Sequence, residues 1–221
     1  MMNFQSLNEA VTACRRCSRL VEWREKVARE KRRAFLTWDY WGKPVPGFGD
    51  PRARVLVVGL APGAHGSNRT GRMFTGDASG DFLFPALYRA GFANHPVSLE
   101  RGDGLRLKDL YITAVCRCAP PDNKPSLQEA ANCRPYLLRE IEILDPKVYV
   151  ALGRIAFDNL VRILSIQGDR PIFSHGVSYP IAGNKTLVCS YHPSRQNTQT
   201  GRLTTAMFDH VWDLVRELLR R

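Results

Sequence analysis

Arg54-Val55-Leu56-Val57-Val58-Gly59-Leu60-Ala61-Pro62-Gly63-Ala64-His65-Gly66-Ser67-Asn68-Arg69-Thr70-Gly71-Arg72-Met73-Phe74-Thr75-Gly76-Asp77-Ala78-Ser79-Gly80 is the stretch on which the fold turns. Its first residues are a short β-branched run of the kind buried on both faces of a parallel sheet. The chain then breaks into a polar loop with six glycines, two arginines, a histidine, a phenylalanine and an aspartate. A helix is expected from Ser79 to Phe92, disturbed or delayed by Pro85. A strand that ends in a glycine-rich loop and leads into a helix is where α/β sheets place their ligands.

The same pattern repeats along the chain. Leu110 to Val115, Lys147 to Leu152 and Thr186 to Tyr191 read as three more buried strands. Helices are expected from the capping box Ser126-Leu127-Gln128-Glu129 to Leu144, from Arg154 to Ile166, and from Arg202 to the C-terminus. Residues 168–185 read as irregular or as a hairpin, and Trp38 to Gly47, rich in aromatics and proline, as extended cover for the sheet edge. Strands alternating with helices predict right-handed β-α-β units and a mostly parallel sheet covered on both faces. A chain of 221 residues, 44% hydrophobic, is expected to make one domain over residues 1–221.

The net charge is +11, and 25 of the 32 basic residues are arginine. That balance points to a polyanion, nucleic acid foremost, as partner. The basic run Arg15 to Arg33 fits either a surface near DNA or a solvated helix face with ion pairs such as Glu22 to Lys26. The N-terminus lacks a basic region followed by an apolar one, and no apolar run is long enough to span a bilayer. An intracellular, cytoplasmic protein is expected. There, six cysteines point to metal ligands or buried thiols rather than disulfides. Ser6 is expected to start a helix, residues 6–33, carrying the Cys14-x-x-Cys17 pair. Cys118 follows a strand and Cys133 lies early in the next helix. Four such thiolates suit a structural zinc or a [4Fe–4S] cluster, and spacing does not choose between them. Cys116 competes with Cys118 for the third place, and Cys189 reads as core.

Taken together, Gly59-Leu60-Ala61-Pro62-Gly63, Gly71-Arg72-Met73-Phe74-Thr75-Gly76, the four cysteines and His192-Pro193-Ser194 resemble the iron–sulfur uracil-DNA glycosylases, most closely their family 5. The resemblance runs from Cys14 to about Thr204. It implies a three-layer α/β/α sandwich with a central four-stranded parallel sheet. It also implies a [4Fe–4S] cluster, with Tyr111 to Cys118 matching so that Cys118 takes the ligand position beside Cys14, Cys17 and Cys133. The cluster would pin the cysteine-bearing N-terminal helix to the rest. Two departures stand out from the related family 4 enzymes. Leu60-Ala61 replaces an acidic residue, and Ala114 stands where those enzymes place an asparagine that reads uracil. Both belong to the family 5 pattern and imply tolerance of hypoxanthine and other damaged bases besides uracil.

The implied reaction breaks an N-glycosidic bond through an oxocarbenium-like transition state, after the base is flipped out of the duplex. No lyase lysine is needed, so the enzyme would be monofunctional. His192 is the expected donor to uracil O2, where negative charge develops. Asp77 is the expected water-positioning carboxylate, or else a helix cap. Phe74 would stack on the base. Gly63 and Ala64 would offer amides to it, Gly59, Gly63 and Gly66 would let backbone approach it, and Asn123 would reach it from a proline-rich turn. His65 and Asn68 are second-rank candidates around the water. Ser194, Arg195, Gln196 and Asn197 open a polar loop expected to contact phosphates and enter the minor groove. The protein is expected to work as a monomer. A non-catalytic zinc-containing module that only grips nucleic acid is the alternative.

Overall fold

The computed structural model describes residues 3–166 and 171–220. Its six strands are β1 (Phe48–Gly49), β2 (Val55–Gly59), β3 (Leu110–Ala114), β4 (Val148–Leu152), β5 (Ser178–Ile181) and β6 (Lys185–Ser190). They form one sheet in the order β1-β3-β2-β4-β6-β5. The central four, β3, β2, β4 and β6, are parallel, and β1 and β5 add antiparallel edges. The four expected parallel strands are therefore present and the sheet is two strands wider. Two-residue β1 is too short to leave a periodic signal. The hairpin reading is borne out in β5 and β6, whose turn uses Gly183 and Asn184 at positive φ. The start of the region read as irregular, residues 168–170, lies outside the described residues.

Eight α-helices are described: α1 (Phe4–Thr12), α2 (Ser18–Glu30), α3 (Ser67–Thr70), α4 (Ala78–Arg89), α5 (Leu127–Leu144), α6 (Arg154–Val161), α7 (Arg195–Gln199) and α8 (Thr205–Arg220). Strand β2 shows how the layers arise. Val55 and Val57 point into a core with Leu83, Phe84 and Leu87 of α4 and Phe208, Val211 and Trp212 of α8. Leu56 and Val58 point the other way, into a core with Leu137 of α5 and Phe157 and Leu160 of α6. All five residues of β2 are buried, so alternation in space leaves a continuous apolar run in sequence. The result is the three-layer α/β/α arrangement.

Three local expectations are corrected. The N-terminal helix does not start at Ser6 or carry the cysteines. Asn3 is the cap, its Oδ1 accepting from Ser6 N at 3.0 Å while Asn3 N donates to Ser6 Oγ at 3.1 Å. The box is therefore read one turn earlier, and the chain breaks at 13–17 before α2. Residues 195–199, expected as a polar loop, form α7, capped by Ser194. Pro85 neither delays nor stops α4, which Asp77 caps so that it starts at Ala78; the proline leaves the Asp81 carbonyl without its N–H partner in the ladder.

Candidate functional site

Strand order locates the cleft. From β2 the chain goes to β3 on one side, then returns to β4 and β6 on the other. The loops leaving β2 and β4 diverge at this switch point, opening a crevice at the carboxyl ends of the strands. Phe74, Asp77 and His192 all lie at that edge.

Asp77 does two things at once. Its Oδ1 accepts from Ser79 N at 3.0 Å and Gly80 N at 3.2 Å, capping α4. Its Oδ2 faces the loop after β2: a methyl group at Gly66 would lie 2.0 Å from it, and one at Gly63 2.8 Å. The cap therefore occupies only one oxygen of the carboxylate and leaves the other facing the loop. Burial pushes this carboxyl up, opposed by the Gly80 and Ser79 amides and by Arg69; Asp81 adds to the rise. Gly63 and Gly66 are glycine in this structure because Asp77 needs their space.

Phe74 sits at φ 52°, a conformation rare for an aromatic residue, and is backed by Gly59, where a methyl would lie 2.7 Å from its ring. Gly80 receives its carbonyl, a methyl there falling 1.8 Å from Phe74 O. Strained backbone of this kind persists only where its surroundings enforce it. The Phe74 ring lies 5.8 Å from that of His192, tilted by 28°. His192 follows β6, and its carbonyl accepts from Asn197 Nδ2 at 2.9 Å, so α7 fixes the backbone that presents the imidazole. Gly153, after β4, lies under the ring, a methyl there falling 3.2 Å from His192 Cβ. Burial lowers the imidazole to about 4, leaving it neutral at physiological pH.

Other sequence candidates scatter. Asn68 is fully buried, its Nδ2 donating to the carbonyls of Arg24 at 3.2 Å and Ala64 at 3.4 Å, which makes it a tie between α2 and the loop. His65 Nδ1 pairs with Tyr40 Oη at 2.9 Å. Asn123 stands exposed on a turn where it and Asp122 both have positive φ. Arg195 and Gln196 are exposed on the first turn of α7, and Ser194 Oγ caps it by accepting from Asn197 N. Ala64 is half-buried.

The cysteines gather where α2, the end of β3 and α5 meet. Arg24 Nη1 donates to Cys118 Sγ at 2.9 Å, and Asn132 Nδ2 donates to Cys17 Sγ at 3.3 Å. Cys17 and Cys118 each feel Cys133 and Cys14, and Cys133 feels Cys116. Cys116 and Cys133 share a hydrogen bond that draws the Cys133 thiol down and pushes Cys116 up, with burial of Cys116 adding to the rise. Of these two thiols, Cys133 is the one pushed toward the thiolate. Among the described residues no three side chains of ligating type already stand in an ion-holding arrangement. A groove of about 960 Å³ lies nearby, between α1, α2 and residues 40–46, away from Asp77.

A family model described as "Uracil DNA glycosylase superfamily" matches residues 46–216. The chain belongs to this superfamily. It is 54% identical over 211 residues to the type-5 uracil-DNA glycosylase of Thermus thermophilus, covering 95% of each chain. It is 49% identical to the type-5 uracil-DNA glycosylase of Mycobacterium leprae, over 96% of this chain and 94% of that one. Identity to the type-4 uracil-DNA glycosylase of Pyrobaculum aerophilum is 32%, over 87% of this chain and 84% of the relative. The type-5 resemblance seen in the motifs is thus borne out.

Within the superfamily fold, the two sequence departures take definite places. Ala114 ends β3 directly beside Gly59, on the floor of the crevice, and is buried. Ala61 leaves β2 with no polar group to offer. Sequence reading missed the pairing of Gly66 with Asp77, the hold of Asn197 on His192, and Arg69 beneath the loop. None leaves a periodic or motif signal, since each joins residues across turns of irregular backbone. Among the described residues no helix is long and apolar enough to cross a membrane.

Proposed function

We propose that this chain is a monofunctional DNA repair glycosylase that removes uracil from DNA by hydrolysing its N-glycosidic bond, leaving an abasic site. The observation that carries the reading is the Asp77 carboxylate, with one oxygen tied to the helix and the other turned to the loop, at the same strand ends as a neutral imidazole and a strained aromatic. The names of the type-5 relatives point the same way.

The base leaves the stack and lies on Phe74, with the amides at Gly63 and Ala64 and the Asn123 side chain around its edge. As the C1′–N bond breaks, its electron pair passes to the base and charge builds on O2. Neutral His192 donates a hydrogen bond there, a stabilisation larger in the transition state than in the ground state. Asp77 Oδ2 holds the water. Its oxygen bonds to C1′ and its proton passes to the carboxylate, while the negative charge eases the cationic sugar. Ser194, Arg195 and Gln196 meet phosphates beside the flipped nucleotide, and Asn197 holds His192 behind them. Ala114 contributes no hydrogen bond to a particular base edge, which favours acceptance of hypoxanthine and other damaged bases alongside uracil. The protein would act as a cytoplasmic monomer, and residues 1–221 as one domain.

Cys14, Cys17, Cys118 and Cys133 would hold a [4Fe–4S] cluster. The fit rests on the N–H donors already aimed at Cys118 and Cys17, which suit thiolate sulfur, and on the anionic preference of Cys133. When bound, the cluster supplies a structural cross-link between the 13–17 segment, the loop after β3 and α5.

Incubation with duplex DNA containing one uracil, followed by alkali, tests the activity. Strand cleavage at the uracil is expected, and an intact strand after prolonged incubation overturns the reading.

A further inference from the structure

We propose that Arg69 is the positioning residue of this site: its guanidinium ties the carbonyl of His65 to that of Gly76 and so holds the loop that presents Asp77. The inference rests on the role proposed above for Asp77.

The loop between Gly63 and Asp77 contains only the single turn α3, so regular hydrogen bonding cannot fix its shape. Arg69 leaves α3 and turns inward. Its Nε donates to His65 O at 2.8 Å, and its Nη2 donates to Gly76 O at 3.0 Å, one residue before the carboxylate. Gly76 has φ 77°, and a methyl group there would lie 2.4 Å from Nη2, so the guanidinium occupies the space a side chain would need. On its far side the Arg69 Cζ lies 4.0 Å from the ring centroids of both Phe35 and Trp38, which meet edge to face. The side chain is 4% exposed.

A fork that bridges two carbonyls fixes their separation in a way a flexible ammonium cannot. The charge itself also calls for a reason. Among the described residues, no carboxylate lies within ion-pair distance of Arg69, and its Nη1 is buried without a partner. A cation kept inside on carbonyls and aromatic faces is an unfavourable choice for a loop staple alone. The groups it faces are Asp77, Glu100 and Tyr40, with Arg32 near Tyr40 and His65. Asp77 in turn faces Arg69, Asp81 and the amides of Ser79 and Gly80. Burial and Asp81 both push the Asp77 carboxyl toward its neutral form, and Arg69 is the cation that opposes them. One side chain therefore holds Asp77 in place and adds its charge to the Gly80 and Ser79 amides in favouring the carboxylate.

The test compares Arg69→Gln, Arg69→Lys, Asp77→Asn and the Arg69→Gln/Asp77→Asn pair in the full chain, each checked by thermal melting. Uracil excision is followed as kcat and KM across pH. Arg69→Gln is expected to lower kcat about 100-fold, the scale of a 1 Å misplacement, with KM nearly unchanged and the acid limb of the profile moved to higher pH. Arg69→Lys should keep the limb in place but not recover the full rate. The double variant should be no slower than Asp77→Asn. Wild-type kinetics in Arg69→Gln, a raised KM at unchanged kcat, or losses that multiply in the double variant each overturn the proposal. If Arg69→Gln does not fold, Phe35→Leu and Trp38→Leu, on half-buried rings, carry the test. A smaller shift of the limb in the same direction supports the proposal, and an unmoved limb overturns it. Full activity in Asp77→Asn overturns instead the role given to Asp77, and an inactive wild type overturns the proposed reaction.

Discussion

Gly66→Ala isolates the central geometric claim, because it touches the carboxylate without changing it. An added methyl would lie 2.0 Å from Asp77 Oδ2, 2.7 Å from Cγ and 2.8 Å from Cβ. Ordinary carbon–oxygen contact needs roughly 3.4 Å, so the carboxylate must retreat by about 1 Å or more, and a displacement of that size at a reacting group costs about 100-fold in rate. Moving Asp77 also weakens the α4 cap, worth about 1 kcal/mol. The expected variant therefore melts a few degrees lower and excises uracil about 100-fold more slowly at unchanged KM. Single-turnover excision on uracil-containing duplex, read beside a melting curve, measures both. Wild-type turnover in a folded Gly66→Ala protein would refute the reasoning, since Oδ2 would then have no task on the loop side.

Asp77→Asn should lose 10²–10⁴-fold in rate, about the contribution of a general base, yet melt no lower than wild type, because asparagine caps helices as well and a raised, half-buried carboxylate opposes folding above its own pKa; a clear loss of melting temperature with activity intact would contradict this. His192 has its pKa lowered from 6.5 to about 4 by burial, so below 6.5 the unfolded chain takes up a proton that the folded chain refuses. Its contribution to stability is present above pH 6.5 and is lost as pH falls toward 4, at most about 3 kcal/mol at 1.36 kcal/mol per unit, and less because the ring keeps some surface. Urea titrations of wild type and His192→Gln at pH 7 and pH 4.5 should show a smaller pH dependence in the variant, and equal slopes would refute the shift. Ser substitutions at Cys118 or Cys133 should bleach the broad visible absorbance expected of the purified protein, and Cys116→Ser should keep it; bleaching by Cys116→Ser alone would move the third ligand. Glu140, fully buried, pairs with Arg117 at 2.5 Å and accepts from Thr113 Oγ1 at 2.7 Å. Glu140→Ala should destabilise by about 3–5 kcal/mol in chemical denaturation, since it strands a buried guanidinium, and a change below 1 kcal/mol would show the pair is solvated.

Much of this protein is written locally. The four buried strands, the capping box at Ser126, the Asp77 cap and the hairpin before β6 depend on neighbours within a few residues. Apolar runs and capping side chains report them directly. The family motifs added Phe74, Asp77 and His192, which the structure places at one edge of the sheet. The N-terminal helices show the limit of local signals. Ser6 has the right neighbours to be a cap, but Asn3 competes for the same role and wins, which frees Cys14 and Cys17 from any helix.

The sequence by itself determined the layered α/β architecture, because burial on both faces of a parallel sheet imposes continuous apolar strands and amphipathic helices. It also supplied the chemical groups of the crevice. Only the tertiary structure decided why the opening loop is rich in glycine. Gly59 makes room for Phe74, Gly63 and Gly66 for Asp77, and Gly76 for Arg69. Those contacts join residues whose spacing follows no period. They arise because irregular backbone folds over itself at the strand ends, where steric exclusion acts through space rather than along the chain.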